Sequence, residues 1–263
     1  MLFVVDVGNT HTVCGIFNGE QLLGSYRLTS ELNRTTDELA LRYHSLFQLQ
    51  NLRPELISGC IIASVVPPLE TSWYTFARRY FGNLQQDPLL VNHRMDTGIT
   101  VATEYPEEVG ADRIVNAVAA WQHFKDNLIV IDFGTAITFD CVDARRNYLG
   151  GTIHPGIGIS LDALAMRTAK LPRVDITSRP EQVIGTTTIK AIHSGILYGF
   201  GGLVDKMVAL LAREITPTAR VCTVATGGMA PVIQPYTTSI DHVDQMLTLN
   251  GLQIIFNRIC NHD

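Results

Sequence analysis

The chain has 263 residues, of which 46% are hydrophobic and 17% are charged. This composition can supply a large hydrophobic core and excludes an intrinsically disordered protein. The 20 Lys and Arg residues are outnumbered by 25 Asp and Glu residues, which gives a net charge of -5. Because no basic excess is present to neutralise a phosphate backbone, nucleic acid is not an expected partner.

The predicted strands and helices alternate along the chain. Apolar runs that end at Asp, Gly or Pro predict buried strands within residues 2–10, 58–66, 89–91, 128–132 and 221–225, with further strands near residues 23 and 149. Apolar residues at helical spacing predict helices over residues 36–50, 69–82, 108–124, 186–213 and 245–259. This alternation, uninterrupted by a linker or low-complexity segment, predicts an α/β fold with mixed sheets.

The cysteines and the N-terminal segment indicate a cellular compartment. The five cysteines are widely spaced and lie in apolar runs without a C-x-x-C pair, which favours reduced, buried thiols over disulfides or a zinc site. The first residues lack the basic segment and cleavage site of a signal peptide, and no uninterrupted apolar run reaches membrane-spanning length. We therefore expect a cytoplasmic protein without a membrane partner.

An internal duplication is visible in the sequence. Residues 2–10 (LFVVDVGNT) and 128–135 (LIVIDFGT) both read as a buried strand that ends in Asp and a glycine turn. At a constant offset of 126 residues, Asp6 falls on Asp132 and Thr12 on Thr138, and the match continues to a Leu-Gly pair in each copy. We expect two similar subdomains, residues 1–118 and 119–263, that face each other across a cleft.

Both Asp-Gly turns carry groups suited to binding phosphate. A carboxylate at the end of a buried strand needs a cation or hydrogen-bond donors. Gly8 permits a tight turn whose N–H groups, with the Asn9 and Thr10 side chains, can hold phosphate oxygens. Either turn alone could be an ordinary β-turn, but the pair favours a nucleotide site with an Asp near the metal. Neither turn has the pattern of a P-loop or of a dinucleotide-binding loop.

The motifs resemble those of a known family. The two Asp-Gly turns and Thr226-Gly227-Gly228 resemble the ATP-binding proteins of the actin, Hsp70 and sugar-kinase superfamily, and residues 108–117 (EVGADRIVNA) resemble the signature of type III pantothenate kinases. Further matching segments are SVVP at 64–67, GGTI at 150–153, Pro155-Gly156 and Leu171-Pro172. The resemblance implies two duplicated ribonuclease H-like (actin-like ATPase) subdomains with mixed five-stranded sheets and ATP in the cleft between them.

The resemblance also implies a reaction, which is ATP-dependent phosphorylation of pantothenate to 4'-phosphopantothenate, the first step of coenzyme A synthesis. Asp112 would be the general base that accepts the proton of the pantothenate primary hydroxyl. Without the resemblance, an acidic residue in the first turn of a helix is explained by the helix dipole alone. Asp6 would hold Mg²⁺ through water, and Asp132 would bind a monovalent cation, K⁺ or NH₄⁺.

The remaining ligand contacts are carried over residue by residue. The resemblance assigns ATP to Asp6, Val7, Gly8, Asn9, Thr10, His11, Thr12, Val13, Thr135, Gly227 and Gly228. It assigns the substrate to Tyr105, Gly110, Ala111, Asp112, Arg113, Thr187 and Thr188. Two of these assignments keep alternatives. The family register favours Thr188 but leaves Thr187 possible, in a segment that could also be a simple helix N-cap. The same register places Thr103 where a Tyr is usual, with Tyr105 two residues later.

The family forms homodimers, so the resemblance implies a homodimer here, with no nucleic-acid partner. Two other functions stay open at this point. One is a different sugar or acid kinase of the same superfamily, which would share Asp6 and Asp132 but would not require residues 110–113. The other is a non-catalytic transcriptional accessory factor, which would lack ATP turnover.

Overall fold

The computed structural model describes residues 1–49, 52–176 and 179–260. Its strands are β1 (Leu2–Val7), β2 (His11–Asn18), β3 (Gln21–Thr29), β4 (Gly59–Ser64), β5 (Leu89–Leu90), β6 (Thr100–Val101), β7 (Leu128–Phe133), β8 (Ala136–Val142), β9 (Asn147–Pro155), β10 (Cys222–Thr226) and β11 (His242–Val243). Its helices are α1 (Thr36–Leu49), α2 (Pro67–Tyr80), α3 (Ala111–Phe124), α4 (Ile157–Arg167), α5 (Thr188–Ile215), α6 (Ala230–Ile233) and α7 (Leu247–Cys260). All five predicted helices are present with ends displaced by at most three residues, whereas α4 and α6 were not predicted.

The chain divides into two compact units. The first unit is Met1–His123 together with Met246–Asp263, and the second is Phe124–Gln245. The units differ from the predicted domains mainly at the C-terminus, because α7 packs in the first unit. Its buried residues Leu249, Leu252 and Ile255 join the core on one face of β1 and β4, so burial of this apolar face places the helix with the first unit despite its position in the sequence.

In the first unit, a mixed sheet is covered by helices on both faces. The strand order is β3-β2-β1-β4-β5, with β2 antiparallel to β1 and β3 and with β4 parallel to β1 and β5. Phe3, Val5 and Val7 point to the face packed by α1 and α2, while Leu2 and Val4 point to the face packed by α3 and α7. This alternation follows from the two-residue period of a strand and leaves the carboxyl end of β1 as the place where Asp6 emerges.

In the second unit, five strands repeat the same arrangement in the order β9-β8-β7-β10-β11, with β8 antiparallel to β7 and β9 and with β10 parallel to β7 and β11. Helix α5 covers one face of this sheet, where its buried residues Leu197, Val204 and Leu211 recur every seven positions and meet Ile129 and Ile131. By length and composition alone, α5 is the one helix of the described residues that could cross a membrane. Core helices of ordinary domains also have this length and composition, and Leu197, Val204 and Leu211 of α5 lie in the core of the second unit.

The two sheets confirm the predicted duplication and correct its register. Asp6 lies opposite Val13, whereas Asp132 lies opposite Thr138, because the turn between β7 and β8 is one residue shorter than the turn between β1 and β2. The ungapped match of Thr12 with Thr138 was therefore wrong. The repeated Leu-Gly pair has the same structural place in both copies, since the register shifts at Leu23 and at Leu149, each the extra residue of a β-bulge.

Candidate active site

The first Asp-Gly turn joins β1 to β2 at the edge of the first unit. Asp6 is half-buried, and the turn residues Asn9 and Thr10 are exposed. The N–H of Gly8 donates to the carbonyl of His11 at 3.1 Å, and a β carbon on Gly8 would lie 2.9 Å from that oxygen. Glycine is therefore required for the tight turn, and the exposed polar groups of residues 9–11 form its tip.

Ser30, which the sequence does not indicate as a functional residue, stabilises this turn through hydrogen bonds. The Ser30 hydroxyl donates to the carbonyl of Gly8 at 2.6 Å, and the Ser30 N–H donates to the carbonyl of Thr10 at 2.9 Å. Because the Ser30 proton is used in this way, the Thr12 hydroxyl, 2.9 Å from Ser30 Oγ, is the donor of that pair. Thr12 is buried, so its side chain stabilises the turn from within. A single Ser after an exposed strand carries no sequence signal for this role.

Asp112 lies in the first turn of α3, as predicted. The carbonyl of Gly110 accepts the first helical hydrogen bonds, from the N–H groups of Arg113 and Ile114. Oδ1 of Asp112 accepts a hydrogen bond from the N–H of Arg113 at 2.8 Å, which fixes the carboxylate over the helix start. The positive end of the helix dipole stabilises the charged form of a carboxylate at this position.

The structure brings the Asp112 segment and the first Asp-Gly turn together within the first unit. The N–H of Val65 donates to the carbonyl of Val7 at 3.1 Å. A β carbon on Gly110 would lie 3.3 Å from Cγ1 of Val65 and 2.5 Å from Oδ1 of Asp112. Val65 of the predicted SVVP motif therefore links the end of β1 to Gly110, two residues before Asp112.

The second Asp-Gly turn joins β7 to β8 in the second unit. Asp132 is half-buried, and Gly134 and Thr135 are exposed. Gly227 follows β10 with φ of 88°, and a β carbon there would lie 2.6 Å from Oδ1 of Asp132 and 2.6 Å from the carbonyl oxygen of Phe133. The missing side chain at Gly227 thus permits close approach to Asp132.

Gly156 completes the surroundings of this turn. Its N–H donates to the carbonyl of Thr135 at 3.1 Å, and a β carbon on Gly156 would lie 2.6 Å from the carbonyl oxygen of Gly134. Gly156 is also the N-cap of α4. The Pro155-Gly156 motif therefore has a local explanation, which is to place the start of α4 directly against the exposed turn residues Gly134 and Thr135.

The other predicted substrate residues lie apart from these contacts. The Thr187 side chain accepts a hydrogen bond from the N–H of Lys190 at 3.2 Å and is the N-cap of α5, while the neighbouring Thr188 is exposed. The capping interpretation of Thr187 is thus confirmed, and Thr188 is the better candidate for a ligand contact. Tyr105 is 54% exposed, whereas the hydroxyl of Thr103 is buried without a hydrogen-bond partner among the described residues.

A cavity of about 250 Å³ lies in the second unit, beside α6. Its walls are Ile176, Arg179, Leu197, Pro231, Val232, Pro235 and Tyr236. The Tyr236 hydroxyl is buried and has no hydrogen-bond partner in the described part of the chain. Burial raises the pKa of Tyr236, although the nearby Arg179 guanidinium opposes this effect, so the hydroxyl keeps its proton at neutral pH. The Tyr198 ring packs edge-on against the Tyr236 ring, with 5.1 Å between the ring centroids, and fixes the orientation of Tyr236.

The arrangement fits a nucleotide-metal complex better than a metal held by protein alone. Within the described residues, no group of three or more His, Cys, Asp and Glu side chains could hold a metal ion. Mg²⁺ bound to a nucleotide takes most of its ligands from water and phosphate, so a nucleotide-bound metal does not require such a group.

Comparison with known proteins decides the family. A family model described as type III pantothenate kinase matches residues 2–210. The chain belongs to the type III pantothenate kinase family. A type III pantothenate kinase from Desulfotalea psychrophila is 48% identical to it over 98% of both chains. The predicted family and its kinase activity are thereby confirmed, and the family implies ATP with a divalent metal.

Solved structures support the predicted fold. A protein from Sinorhizobium meliloti assigned as a 2-dehydro-3-deoxygalactonokinase superposes with a TM-score of 0.56 at 12% identity, covering 98% of this chain and 99% of the other. A Campylobacter jejuni protein assigned to the Baf family of transcriptional activators superposes with a TM-score of 0.55 at 17% identity, with the same coverage. These similarities confirm the α/β fold with two mixed sheets.

Proposed function

We propose that the protein transfers the γ-phosphoryl group of ATP to the primary hydroxyl of pantothenate, giving 4'-phosphopantothenate and ADP, in the cytoplasm. One observation carries the proposal for this chain in particular. The contacts from Val7 through Val65 to Gly110 place the Asp112 carboxylate at the same edge of the first unit as the first Asp-Gly turn. A general base beside a phosphate-binding turn is the arrangement that phosphoryl transfer to an alcohol requires.

Asp112 is the residue that moves the proton. As the hydroxyl oxygen of pantothenate bonds to the γ-phosphorus, the bond from that phosphorus to the β,γ-bridging oxygen breaks and ADP leaves. The hydroxyl proton passes to the Asp112 carboxylate. Its Oδ1 is held by the Arg113 N–H at 2.8 Å, which fixes the direction in which the second oxygen points. The Arg113 guanidinium, a forked donor, is suited to the pantothenate carboxylate.

The Asp-Gly turns hold the phosphates. Exposed residues 9–11 offer side-chain and main-chain donors in the first unit, and Thr135 offers a hydroxyl in the second. Neither turn contains a lysine. When bound, Mg²⁺ at Asp6 and K⁺ or NH₄⁺ at Asp132 supply positive charge that offsets the charge of the phosphates.

The cavity beside α6 is suited to the adenine ring. The planar guanidinium of Arg179 and the ring of Tyr236 can both stack on a base, and the unpartnered Tyr236 hydroxyl can bond to a ring nitrogen. We expect Tyr236→Phe to weaken binding of ATP and ADP by a few-fold and to leave binding of inorganic triphosphate unchanged. Tyr26→Phe is a matched control, because the Tyr26 hydroxyl is likewise buried without a partner in the described residues but lies in the first unit on β3.

The family and the surface both support a homodimer. In the second unit, large apolar side chains are exposed close together in the sequence, including Ile153 at 64% and Met166 at 81%. Sedimentation velocity tests this proposal, with Ile153→Glu expected to give monomers. Leu41→Glu is the matched control, because Leu41 is 73% exposed on α1 of the first unit. A wild-type protein that sediments as a monomer would contradict the proposal.

The test of the activity is ADP release by the purified protein with Mg-ATP and pantothenate, in K⁺ and in tetramethylammonium at equal ionic strength. We expect turnover that requires pantothenate and is faster in K⁺. Asp112→Asn should reduce kcat at least about a hundredfold. Asp87→Asn, which removes an exposed carboxylate that pairs with Arg78, should not. Turnover with a sugar acid but not with pantothenate would favour another kinase of the superfamily. Absence of turnover with any substrate would favour the accessory factor.

A further inference from the structure

The second unit contains a buried carboxylate that the proposed reaction does not use. Asp140 in β8 is 0% exposed. It accepts a hydrogen bond from the Tyr148 hydroxyl at 2.6 Å and another from the Thr138 hydroxyl at 2.9 Å. Burial of a carboxylate is costly even when it is hydrogen-bonded, so a packing role alone does not explain an acidic residue at this position.

The strand register places Asp140 next to the Asp132 site. Thr138 lies directly opposite Asp132, and Asp140 lies opposite Val130, two residues further along the same face of the sheet. Side chains directly opposite each other on antiparallel strands have β carbons about 4.5–5.5 Å apart. The half-buried Thr138 side chain therefore lies beside the Asp132 side chain, and its hydroxyl is bonded to Asp140.

The bond to Asp140 determines what the Thr138 hydroxyl can do. A hydroxyl has one proton and two lone pairs, and the proton of Thr138 is donated to Asp140. Toward Asp132, Thr138 Oγ1 can then act only as an acceptor. A carboxylate and a neighbouring hydroxyl oxygen that offers only lone pairs are ligands that suit a cation.

The first unit provides an internal comparison, because the same positions there are apolar. Val13 lies opposite Asp6, and Gly15 lies opposite Val4, in the places of Thr138 and Asp140. Leu22 lies opposite Phe17, where the second unit has Tyr148 opposite Val142. A β carbon on Gly15 would lie 3.2 Å from Leu249 of α7, so an apolar helix contact fills the space that Asp140 takes in the second unit.

We propose that Thr138 is a second protein ligand of the monovalent cation at Asp132, and that Asp140 is a positioning residue that orients the Thr138 hydroxyl as an acceptor. The inference rests on the cation site of the proposed function. It also accounts for the different roles of the two duplicated aspartates. Asp6 has an apolar neighbour and suits a hydrated Mg²⁺, whereas Asp132 has a second oxygen and suits a cation that sheds its water.

The test measures cation binding rather than turnover. Thermal unfolding of the protein with Mg-ADP is followed while KCl replaces tetramethylammonium chloride at constant ionic strength, without pantothenate. The quantities measured are the rise in Tm and the K⁺ concentration at half of that rise. A change in the Tm without K⁺ does not affect this midpoint. We expect a K⁺-dependent rise in the wild type and in Thr138→Ser, and a midpoint at least tenfold higher in Thr138→Val. Thr152→Val is the matched control, because the Thr152 hydroxyl is buried without a partner in the described residues and faces the other side of the same sheet.

A second variant tests the role of Asp140. In Asp140→Asn, the amide oxygen can still accept the hydrogen bond from Tyr148, so the amide nitrogen faces Thr138. The Thr138 hydroxyl must then accept from this nitrogen, and its own proton is released toward Asp132. We expect the K⁺ midpoint to rise at least tenfold while the circular dichroism spectrum is retained. A wild-type K⁺ midpoint in Thr138→Val, or no K⁺ response in the wild type, would overturn the inference. Failure of pantothenate phosphorylation with an intact K⁺ response would instead overturn the proposed substrate alone.

Discussion

A β carbon on Gly110 would lie 2.5 Å from Oδ1 of Asp112, so the absence of a side chain at one residue permits the carboxylate orientation of the other. The atom that would have to move is the end of a flexible side chain and not the backbone. The contact therefore links Gly110 to the position of the Asp112 carboxylate, the base that we propose, with little effect on the fold. The family motif Gly-Ala-Asp-Arg has a physical reason for its first residue.

The first prediction concerns Gly110→Ala. The new methyl group displaces the Asp112 carboxylate, and a misplacement of about 1 Å can reduce turnover about a hundredfold. We expect kcat to fall by about tenfold to a hundredfold with a Tm close to that of the wild type. Gly82→Ala is the control in the same unit, since a β carbon there would meet nothing within 4 Å. Wild-type kcat in Gly110→Ala would show that the carboxylate adapts without loss.

The second prediction concerns the support of the first Asp-Gly turn. Ser30→Ala removes the donor to the carbonyl of Gly8 and the acceptor for Thr12. The loss of a part-buried hydrogen bond lowers the free energy of unfolding by about 1 kcal/mol. Because the turn is less ordered, we expect the KM for ATP to rise several-fold with a smaller change in the KM for pantothenate.

Steady-state kinetics with each substrate varied in turn measure this difference. Ser45→Ala is the control, since the Ser45 hydroxyl donates to the carbonyl of Leu41 on the exposed face of helix α1, away from the turn. An equal rise in both KM values would indicate general destabilisation of the protein rather than loosening of the phosphate turn.

The third prediction concerns Gly227→Ala. The backbone of Gly227 has φ of 88°, and a β carbon would meet both Asp132 and the carbonyl of Phe133. We expect the free energy of unfolding to fall by more than about 1 kcal/mol, since a side chain is strained in this conformation. The K⁺ dependence of ADP release should also weaken, because the Asp132 carboxylate must move. Gly202→Ala is the control, because Gly202 lies in α5 and a β carbon there would meet nothing within 4 Å. Urea unfolding of this variant should show a stability equal to or greater than that of the wild type.

Sequence reasoning located the parts of the site that depend on local pattern. Asp6 and Asp132 end buried apolar strands and precede glycine turns, and this pattern is readable because strand burial and turn geometry are set by neighbouring residues. The start of α3 at the Gly-Ala-Asp-Arg segment is local in the same sense. Each of these features depends on neighbouring residues and is therefore predictable from the sequence.

Features that depend on distant contacts were not predictable in this way. The shorter turn between β7 and β8 is concealed because the segment between the paired residues Val142 and Tyr148 is one residue longer than the segment between Phe17 and Leu22. The offset of 126 residues is therefore restored at the Leu-Gly pair. The place of α7 depends on which apolar face it covers, and a hydrophobic pattern does not name its partner. Ser30 and Asp140 gain their roles from strand pairing, which the sequence alone does not fix.

The last prediction concerns pH and the buried thiols of the first unit. Burial raises the pKa of the Cys60 thiol well above its usual value, and burial likewise raises the pKa of Cys14, which lies 2.9 Å from the Tyr43 hydroxyl. An unfolded thiol ionises near pH 8.5. Above that pH the folded state binds more protons than the unfolded state, so the free energy of unfolding is fully retained below about pH 8.5 and falls as the pH rises.

Each such thiol contributes a slope of about 1.4 kcal/mol per pH unit above this point. We expect urea unfolding between pH 7.5 and 10 to show this decline, and Cys60→Ala to reduce its slope by about one thiol's share. Cys260→Ala is the control, because it removes a thiol at the end of α7 that is only half-buried. The slope is the quantity to compare, because Cys60→Ala also leaves a small cavity that lowers stability at every pH. An unchanged slope in Cys60→Ala would mean that this thiol ionises in the folded protein as readily as in the unfolded chain.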